Sequence, residues 1–343
     1  LFIIIIIILG VSFSLFLKKP LICLFIDFSK AFDKATTSRI INALSYLGCS
    51  IDCLYWFYSF MANRRHRFFI NYDTFSEFID AKSGVPQGSI AGPILFAILL
   101  HTLKPLNSDI NYIKYADDLS ILYYGNKSNA NLVLQSELNH INSWCLNNNM
   151  TINVSKTKLL QFSSPSMTCN ISLNLNNIII EEVVSFKLLG IIISSSLNWN
   201  EHINNILSKC SKKIYYIIQC KRFSCTNDIL WNIYYTFIRS VITYSFSAFC
   251  NLNATLFRKL QKIENRVSII IGTKPTINLN IFCNYLCKNL FHKVNRHLDH
   301  PLRSLFLERN NTFNTRNSTN ISLLIPAGTT TRSRNHFVKF CIL

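Results

Sequence analysis

Two features of the hydrophobic pattern predict where acidic side chains meet a central sheet. Residues 21–26 form a continuously apolar run that ends at Asp27. A run of this length is typical of a strand buried on both faces, so we expect Asp27 at the end of a central strand. Further along, Asp117 and Asp118 lie between two runs of β-forming residues. This pattern predicts a hairpin with both aspartates at or beside the turn.

An acidic pair between two strands is, by itself, typical of an ordinary turn, because aspartate readily bonds to nearby backbone there. The alternative interpretation depends on Asp27. If the sheet brings Asp27 beside Asp117, up to three carboxylates share a small volume, and their repulsion has to be offset by cations. A pair of magnesium ions about 4 Å apart is suited to that role.

The rest of the pattern predicts an α/β (α+β) fold followed by helices. Residues 84–92 are rich in glycine and proline and precede an apolar helix that ends near Leu103, with Pro93 as its first helical residue. Strand, helix, paired strands, helix and strand follow one another as in a ferredoxin-like arrangement. The predicted helices elsewhere are 37–47, 129–146, 201–222, 227–248, 254–271 and 280–290.

Composition limits the classes of function. The chain has 343 residues, and 49% of them are hydrophobic, which excludes a wholly disordered chain. The net charge is +18, and residues 202–300 alone hold fourteen basic and three acidic side chains. Such an excess is typical of proteins that bind nucleic acid or an anionic membrane surface. The twelve cysteines are irregularly spaced, which favours a reducing compartment over a disulfide framework.

The amino-terminal segment, residues 1–19, has two interpretations. Residues 1–17 carry no charge, include six consecutive isoleucines and precede Lys18 and Lys19. Seventeen residues is the lower limit for spanning a bilayer, so the segment could be a membrane anchor. We favour the other interpretation, a cut or mistranslated start ahead of a buried strand, because the chain begins with leucine.

Three stretches, taken together and in this order, are specific for one family. They read D-F-S-K-A-F-D at 27–33, G-V-P-Q-G-S-x-x-G-P-x-L-F at 84–96 and Y-A-D-D at 115–118. This combination resembles the palm of reverse transcriptases, most closely those of non-LTR (LINE-like, jockey-type) retrotransposons. The resemblance implies a right-hand polymerase with a ferredoxin-like palm at 20–195, a helical thumb and connection at 196–300, and a basic tail at 301–343.

The resemblance also implies roles for individual residues. Asp27 and Asp117 would be metal ligands, Asp118 would complete the catalytic and metal-binding cluster, and the carbonyl of Phe28 would also face a metal ion. Phe32 would lie under the nucleotide sugar, where a bulky ring excludes a 2′-hydroxyl and so favours dNTPs. The other implied nucleotide contacts are Lys30, Ala31, Gln87, Gly88 and Lys156, the last beside the leaving pyrophosphate. The implied primer and template contacts are Pro86, Tyr115, Leu189 and Gly190.

Cofactors and partners follow from the same resemblance. We expect two Mg²⁺ ions, which Mn²⁺ can replace, and no small-molecule cofactor. The expected partners are an RNA template, a DNA primer or target, and dNTPs, in the nucleus or cytoplasm rather than at a membrane.

The leading interpretation is therefore the core of an RNA-directed DNA polymerase, a fragment without the fingers and endonuclease regions of its family. Without them we expect weak activity or none. The alternative is an inactive retrotransposon relic that only binds nucleic acid, and a membrane protein comes third. The spacing of Cys283, Cys287, His292 and His297 is loosely that of a zinc knuckle, but we favour a plain helix there. The basic run 64–67 precedes a predicted strand pair at 68–79, and it fits either a template-phosphate contact or a solvated turn.

Overall fold

A computed structural model of the chain describes Ile5, Ile7 and residues 20–303, apart from 72–73, 82, 163–168, 251, 298 and 301. The rest of the predicted apolar segment and the basic tail from residue 304 onward lie outside the described residues. The described chain divides into two compact units, one of residues 20–184 and one that comprises Ile5, Ile7 and residues 185–303. We call them the sheet unit and the helical unit.

The sheet unit alternates strands with helices along the chain. Its strands are β1 (Leu21–Asp27), β2 (Arg65–His66), β3 (Phe69–Asn71), β4 (Thr74–Phe75), β5 (Ile79–Asp80), β6 (Ile110–Tyr115), β7 (Asp118–Tyr123), β8 (Lys158–Phe162), β9 (Asn174–Leu175), β10 (Ile178–Ile179) and β11 (Glu181–Glu182). Its helices are α1 (Ala31–Lys34), α2 (Thr37–Tyr46), α3 (Ile51–Met61), α4 (Ala91–His101) and α5 (Ala130–Asn147).

Five of these strands form the central sheet, in the order β11-β8-β1-β7-β6. Strand β1 runs antiparallel to β7 and β8, β6 runs antiparallel to β7, and β11 joins β8 in parallel. Without β11, the chain follows the β-α-β-β-α-β order of a ferredoxin-like domain. The predicted mixed fold is therefore confirmed, and β11 is an addition that the sequence analysis did not anticipate.

The centre of the sheet is a pair of hydrophobic strands. Residues 21–26 of β1 are at most 3% exposed, and residues 119–123 of β7 are at most 2% exposed. Burying a large apolar side chain contributes about 2 kcal/mol, so the pair is strongly held. A slip of one residue would turn every side chain to the opposite face of the sheet. The register, and with it the position of Asp27 at the end of β1, is therefore well determined.

Helix α5 supports the next strand, β6, through a buried carboxylate. Glu137 is fully buried and accepts hydrogen bonds from the Leu106 amide, at 3.0 Å, and from the Tyr112 hydroxyl. On the same strand Lys114 donates to the Leu100 carbonyl at 2.7 Å, and burial lowers the pKa of Lys114 to about 8. These bonds attach β6 to α5 and to the end of α4.

The sheet unit departs from the predictions between residues 50 and 80. No element was predicted at 51–61, where the structure has α3, capped by the Ser50 hydroxyl that accepts from the Cys53 amide at 3.4 Å. A single strand pair was predicted at 68–79, whereas the structure forms two short ribbons, β2 with β5 and β3 with β4. Because these strands are only two or three residues long, they carry too little periodicity to be distinguished in the sequence.

The helical unit begins with a hairpin and continues as helices. Its elements are β12 (Ser185–Leu188), β13 (Ile191–Ser194), α6 (Asn200–Arg222), α7 (Asn227–Ile233), a π-helix (Tyr234–Arg239), α8 (Ser240–Thr243), α9 (Ala254–Ile271) and α10 (Leu279–Arg296). The predicted helices at 201–222 and 254–271 are confirmed. The single helix predicted at 227–248 is wrong, because Tyr244 is extended, with ψ 117°, and Ser245 is left-handed, with φ 54°.

A buried ion pair joins the helices of this unit. Arg239 donates to Glu264 across 2.9 Å, and the Tyr234 hydroxyl donates to the same carboxylate at 2.7 Å. In α10, Cys283 and Cys287 are buried within the core-facing stripe of an ordinary helix. Among the described helices, none has the combination of length and apolar character that crossing a bilayer requires.

Glu137 provides a test of how β6 is supported. We expect Glu137→Ala to lower the free energy of unfolding by about 2–4 kcal/mol, because the buried Leu106 amide and Tyr112 hydroxyl lose their acceptor. Urea denaturation measures the change, and Ser136→Ala, at an exposed neighbour on α5, is the control. A Glu137→Ala protein as stable as the control would contradict the assignment.

Candidate active site

The aspartate that ends β1 and the aspartate that begins β7 are paired on adjacent strands of the sheet. Asp27 is the register partner of Asp118, in the last pair of the β1–β7 ladder. Paired Cα atoms in antiparallel strands lie about 5 Å apart, and successive Cα atoms about 3.8 Å apart. The Cα atom of Asp117 is therefore within about 9 Å of that of Asp27. Residues ninety positions apart in the sequence thus reach one place.

Asp117 lies in the tight turn between β6 and β7. Tyr115 pairs with Asp118, so the turn consists of Ala116 and Asp117 alone. Ala116 has φ 50°, a left-handed conformation that a two-residue hairpin requires and that strains a residue with a Cβ atom. The predicted hairpin, with the aspartates at or beside its turn, is confirmed. Strained backbone of this kind is often kept at functional sites.

The three carboxylates interact electrostatically. The pKa of Asp118 is raised, first by partial burial and then by repulsion from Asp117 and Asp27. One cation is in reach, since the Lys156 ammonium lies 3.7 Å from Asp27 Oδ2. That lysine is 68% exposed, so it screens the cluster only in part. The arrangement concentrates negative charge at the edge where the sheet meets solvent.

The backbone next to Asp27 is fixed by the segment that follows α5. Phe28 forms an isolated bridge with Ile152, and its two hydrogen bonds are Ser29 N–H to the Thr151 carbonyl and Asn153 N–H to the Asp27 carbonyl. The carbonyl of Phe28 takes no part in these two bonds. The bridge therefore holds the chain without using the oxygen that the family resemblance assigns to a metal ion.

A divalent metal ion requires several oxygen donors in one place. In the part of the chain that the structure describes, no group of three or more His, Cys, Asp or Glu side chains is arranged to hold a metal ion. The chemistry of the residues nevertheless fits one, because carboxylate oxygens are the donors that Mg²⁺ prefers. The repulsion that raises the pKa of Asp118 is also what a divalent cation would relieve.

A sharp bend of the backbone follows Asp27, and it places the next side chains in different environments. Lys30 is left-handed, with φ 51°, and precedes the short helix α1. Ala31 is buried at 3% exposure, whereas the ring of Phe32 stacks on Phe96 with centroids 4.5 Å apart. Of the residues expected to contact nucleotide here, Lys30 is exposed, Phe32 is partly exposed and Ala31 packs into the core.

The glycine-rich loop at 84–88 lies against that bend. Val85 N–H donates to the Phe32 carbonyl at 2.9 Å, and the Gln87 side-chain amide donates to Asp33 Oδ1 at 2.7 Å. A Cβ atom on Gly84 would come within 3.0 Å of the Asp33 Cα atom, so only glycine fits there. Pro86 is partly exposed, and Gln87 and Gly88 are exposed. The structure thus brings Phe32 and Gln87 to neighbouring segments.

Two residues of this region were missed by the sequence analysis. Asp33 holds Gln87, and the Arg64 guanidinium donates to the Gly84 carbonyl and to the Met61 carbonyl, at 3.0 Å for the latter. Asp33 ends the same seven-residue stretch as Asp27, which was an available signal. Nothing in the local pattern could single out Arg64 from its basic neighbours.

The remaining residues that are predicted to contact primer or template lie in two places. Tyr115, at the end of β6, is 57% exposed. Leu189 and Gly190 form the turn of the β12–β13 hairpin, in the helical unit, with φ 47° and 86°. The Tyr244 hydroxyl donates to the Leu189 carbonyl at 3.0 Å and so supports this turn.

Comparison with known proteins identifies the family. A family model described as "Reverse transcriptase (RNA-dependent DNA polymerase)" matches residues 14–193, just over half of the chain. The chain belongs to this reverse transcriptase family. The match includes the three acidic residues of the site, the loop at 84–88 and the hairpin turn at Leu189.

Relatives of this reverse transcriptase come from mobile elements. It is 31% identical to the RNA-directed DNA polymerase from mobile element jockey of Drosophila melanogaster over 143 residues, 38% of this chain and 15% of that protein. The corresponding protein of Drosophila funebris is 24% identical over 214 residues, 58% of this chain and 22% of that protein. The predicted resemblance to jockey-type elements is confirmed. The reverse transcriptase spans less than a quarter of the length of either relative.

Solved structures give a more distant likeness. Apo telomerase from Candida tropicalis matches with a TM-score of 0.48 and 10% sequence identity, covering 85% of this chain and 49% of that chain.

The electrostatics of the cluster lead to a stability prediction. At pH 7 we expect Asp118→Asn to raise the thermal unfolding midpoint in metal-free buffer, because a raised folded-state pKa means that folding disfavours the ionised carboxylate. The gain should shrink on acidification and vanish below the ordinary pKa of 3.8, where the carboxyl group is neutral in both states. Asp52→Asn, at an exposed site on α3, is the control. A gain that persists at pH 3 would argue against charge repulsion.

Proposed function

We propose that this member of the reverse transcriptase family is an RNA-directed DNA polymerase that extends a primer 3′-hydroxyl with dNTPs. The single observation that supports this most strongly is the register that sets Asp27 opposite Asp118, with Asp117 next to it in the turn. Phosphoryl transfer needs little covalent chemistry from the protein, but it needs positioned charge. A rigid sheet edge with three carboxylates would hold the divalent cations that supply that positive charge.

The proposed cofactor is a pair of Mg²⁺ ions bound by Asp27, Asp117, Asp118 and the Phe28 carbonyl, with Mn²⁺ as a substitute. When bound, two such ions activate the attacking hydroxyl and stabilise the leaving pyrophosphate. Lys156 is the protein's own contribution on the leaving-group side. Its ammonium is exposed and tethered near Asp27 at 3.7 Å, so it can turn to a pyrophosphate oxygen and neutralise or protonate it.

Discrimination between deoxyribonucleotides and ribonucleotides is assigned to Phe32. The ring is held by its stack on Phe96, at 4.5 Å and an interplanar angle of 27°. Because Phe96 belongs to α4 and is fully buried, it gives Phe32 a fixed support. A ring held in this way can exclude a 2′-hydroxyl from the sugar site, which favours dNTPs.

Template and primer binding is assigned to both units. In the sheet unit Pro86 and Tyr115 are the proposed contacts, and in the helical unit Leu189 and Gly190. Helix α9 adds a row of exposed cations at Arg258, Lys259, Lys262 and Arg266, while its one acid, Glu264, is buried against Arg239. Unpaired cations along one helix suit the phosphates of a nucleic acid. We accordingly propose that residues 20–195 form the palm and that residues 196–300 form the helical thumb and connection.

Replacing Asp117 tests the polymerase function. In a protein extended by the fingers region of a jockey-type relative, we expect Asp117→Asn to lower Mg²⁺-dependent dNTP incorporation on a primed RNA template by about a thousandfold or more, because one metal ligand is lost. Binding of the primed template, measured by fluorescence anisotropy, should stay within about twofold. The matched control is Asp52→Asn, which should retain incorporation.

Other outcomes of this experiment discriminate between the hypotheses. Retained incorporation by the Asp117→Asn protein would refute the metal assignment. Template binding without incorporation, in a protein extended by the fingers region of a jockey-type relative, would favour the alternative, an inactive relic that only binds nucleic acid.

Phe32 provides a separate test of nucleotide choice. We expect Phe32→Val to raise the use of ribonucleotides relative to dNTPs by roughly ten- to a hundredfold, measured as the ratio of kcat/KM values, because the smaller side chain leaves room for a 2′-hydroxyl. Phe32→Tyr keeps the ring and should keep the discrimination. An unchanged ratio in Phe32→Val would remove this residue from the sugar site.

A further inference from the structure

The contact between Asp33 and Gln87 fixes an exposed side chain beside the candidate site. The Gln87 amide nitrogen donates to Asp33 Oδ1 at 2.7 Å, although both residues are exposed. A free glutamine at such a position would sample several rotamers, and holding it requires a partner that is itself fixed. A bond to an ionised acceptor is also stronger than a bond between neutral groups.

Asp33 is fixed by the loop that carries Gln87. The Ser83 hydroxyl donates to the Asp33 carbonyl at 2.7 Å, and the Gly84 amide donates to the Ala35 carbonyl at 2.9 Å. The Gly84 backbone is so close that a Cβ atom there would come within 3.0 Å of the Asp33 Cα atom and within 3.1 Å of its carbonyl oxygen. The carboxylate of Asp33 therefore starts from a rigid base and points to a loop that is held against it.

We propose that Asp33 is a positioning residue that orients Gln87 toward the incoming nucleotide. The proposal rests on the proposed polymerase function, and it adds a residue that acts only through Gln87. An ionised carboxylate only accepts hydrogen bonds, so it holds the NH₂ end of the glutamine amide. Gln87 then presents its carbonyl oxygen, Oε1, to the site. That oxygen selects a hydrogen-bond donor, such as a sugar hydroxyl or a base N–H, over a phosphate oxygen.

Exchanging the hydrogen-bond donor at position 87 with the acceptor at position 33 tests this orientation of Gln87. Gln87→Glu alone places two carboxylates face to face and breaks the contact. Adding Asp33→Asn restores a donor and an acceptor in reversed order and still presents an oxygen to the nucleotide. We expect Asp33→Ala to raise the KM for dNTPs by roughly three- to tenfold with kcat within about twofold. We expect Gln87→Glu to raise it further, and the double variant Asp33→Asn/Gln87→Glu to recover at least about threefold of that loss.

Two measurements distinguish a failure of the Asp33–Gln87 proposal from a failure of the proposed polymerase function. Steady-state incorporation gives KM and kcat, and equilibrium binding of a fluorescent mant-dATP in Ca²⁺ reads nucleotide affinity without chemistry. Recovery of mant-dATP affinity in the double variant supports the proposal even if no protein incorporates nucleotide. A double variant no better than Gln87→Glu overturns it, as does an Asp33→Ala protein with unchanged affinity. Asp52→Asn is the control, and all variants should unfold within a few degrees of the unchanged protein.

Discussion

The antiparallel register between β1 and β7 is the constraint on which the site depends. Both strands are almost completely buried, so a slip of one residue would disrupt the close packing on both faces of the sheet. The last pair of this ladder is Asp27 with Asp118. The position of two acidic side chains is thus set by hydrophobic packing several residues away, and the turn that holds Asp117 follows from the same pairing.

Clustering the three carboxylates lowers the stability of the fold but provides the proposed site. The raised pKa of Asp118, which is due first to partial burial and then to repulsion from Asp117 and Asp27, reports the cost of these carboxylates in the folded state. A fold that only needed to be stable would place neutral side chains there. Lys156 relieves part of the repulsion from 3.7 Å, but its exposed ammonium leaves room for other cations. The buried strands keep the charges together, since separating them would disrupt the packing of the sheet.

Sequence reasoning succeeded where physical signals were local and failed where they were not. The apolar run before Asp27 is short and the runs around Asp117 are rich in β-forming residues, so length and residue type favoured strands at both places. Helix α3 was not predicted because apolar and aromatic residues lie on nearly all sides of it. Its sequence therefore has little of the periodicity that marks a helix. The contact between Asp33 and Gln87 joins residues fifty-four positions apart through a single hydrogen bond. No local pattern could reveal it.

The seven residues 27–33 contribute to two different parts of the structure because the backbone turns between Asp27 and Phe32. Asp27 ends a strand and lies with the acidic cluster, whereas Phe32 and Asp33 face a loop that carries a glutamine. The change of direction occurs at Lys30, whose left-handed conformation costs about 1 kcal/mol for a residue with a side chain. A straight continuation of β1 would carry Phe32 and Asp33 along the strand axis and out of reach of the loop. The cost is offset by the contacts that the bend allows, which are the stack of Phe32 on Phe96 and the hydrogen bond between Gln87 and Asp33.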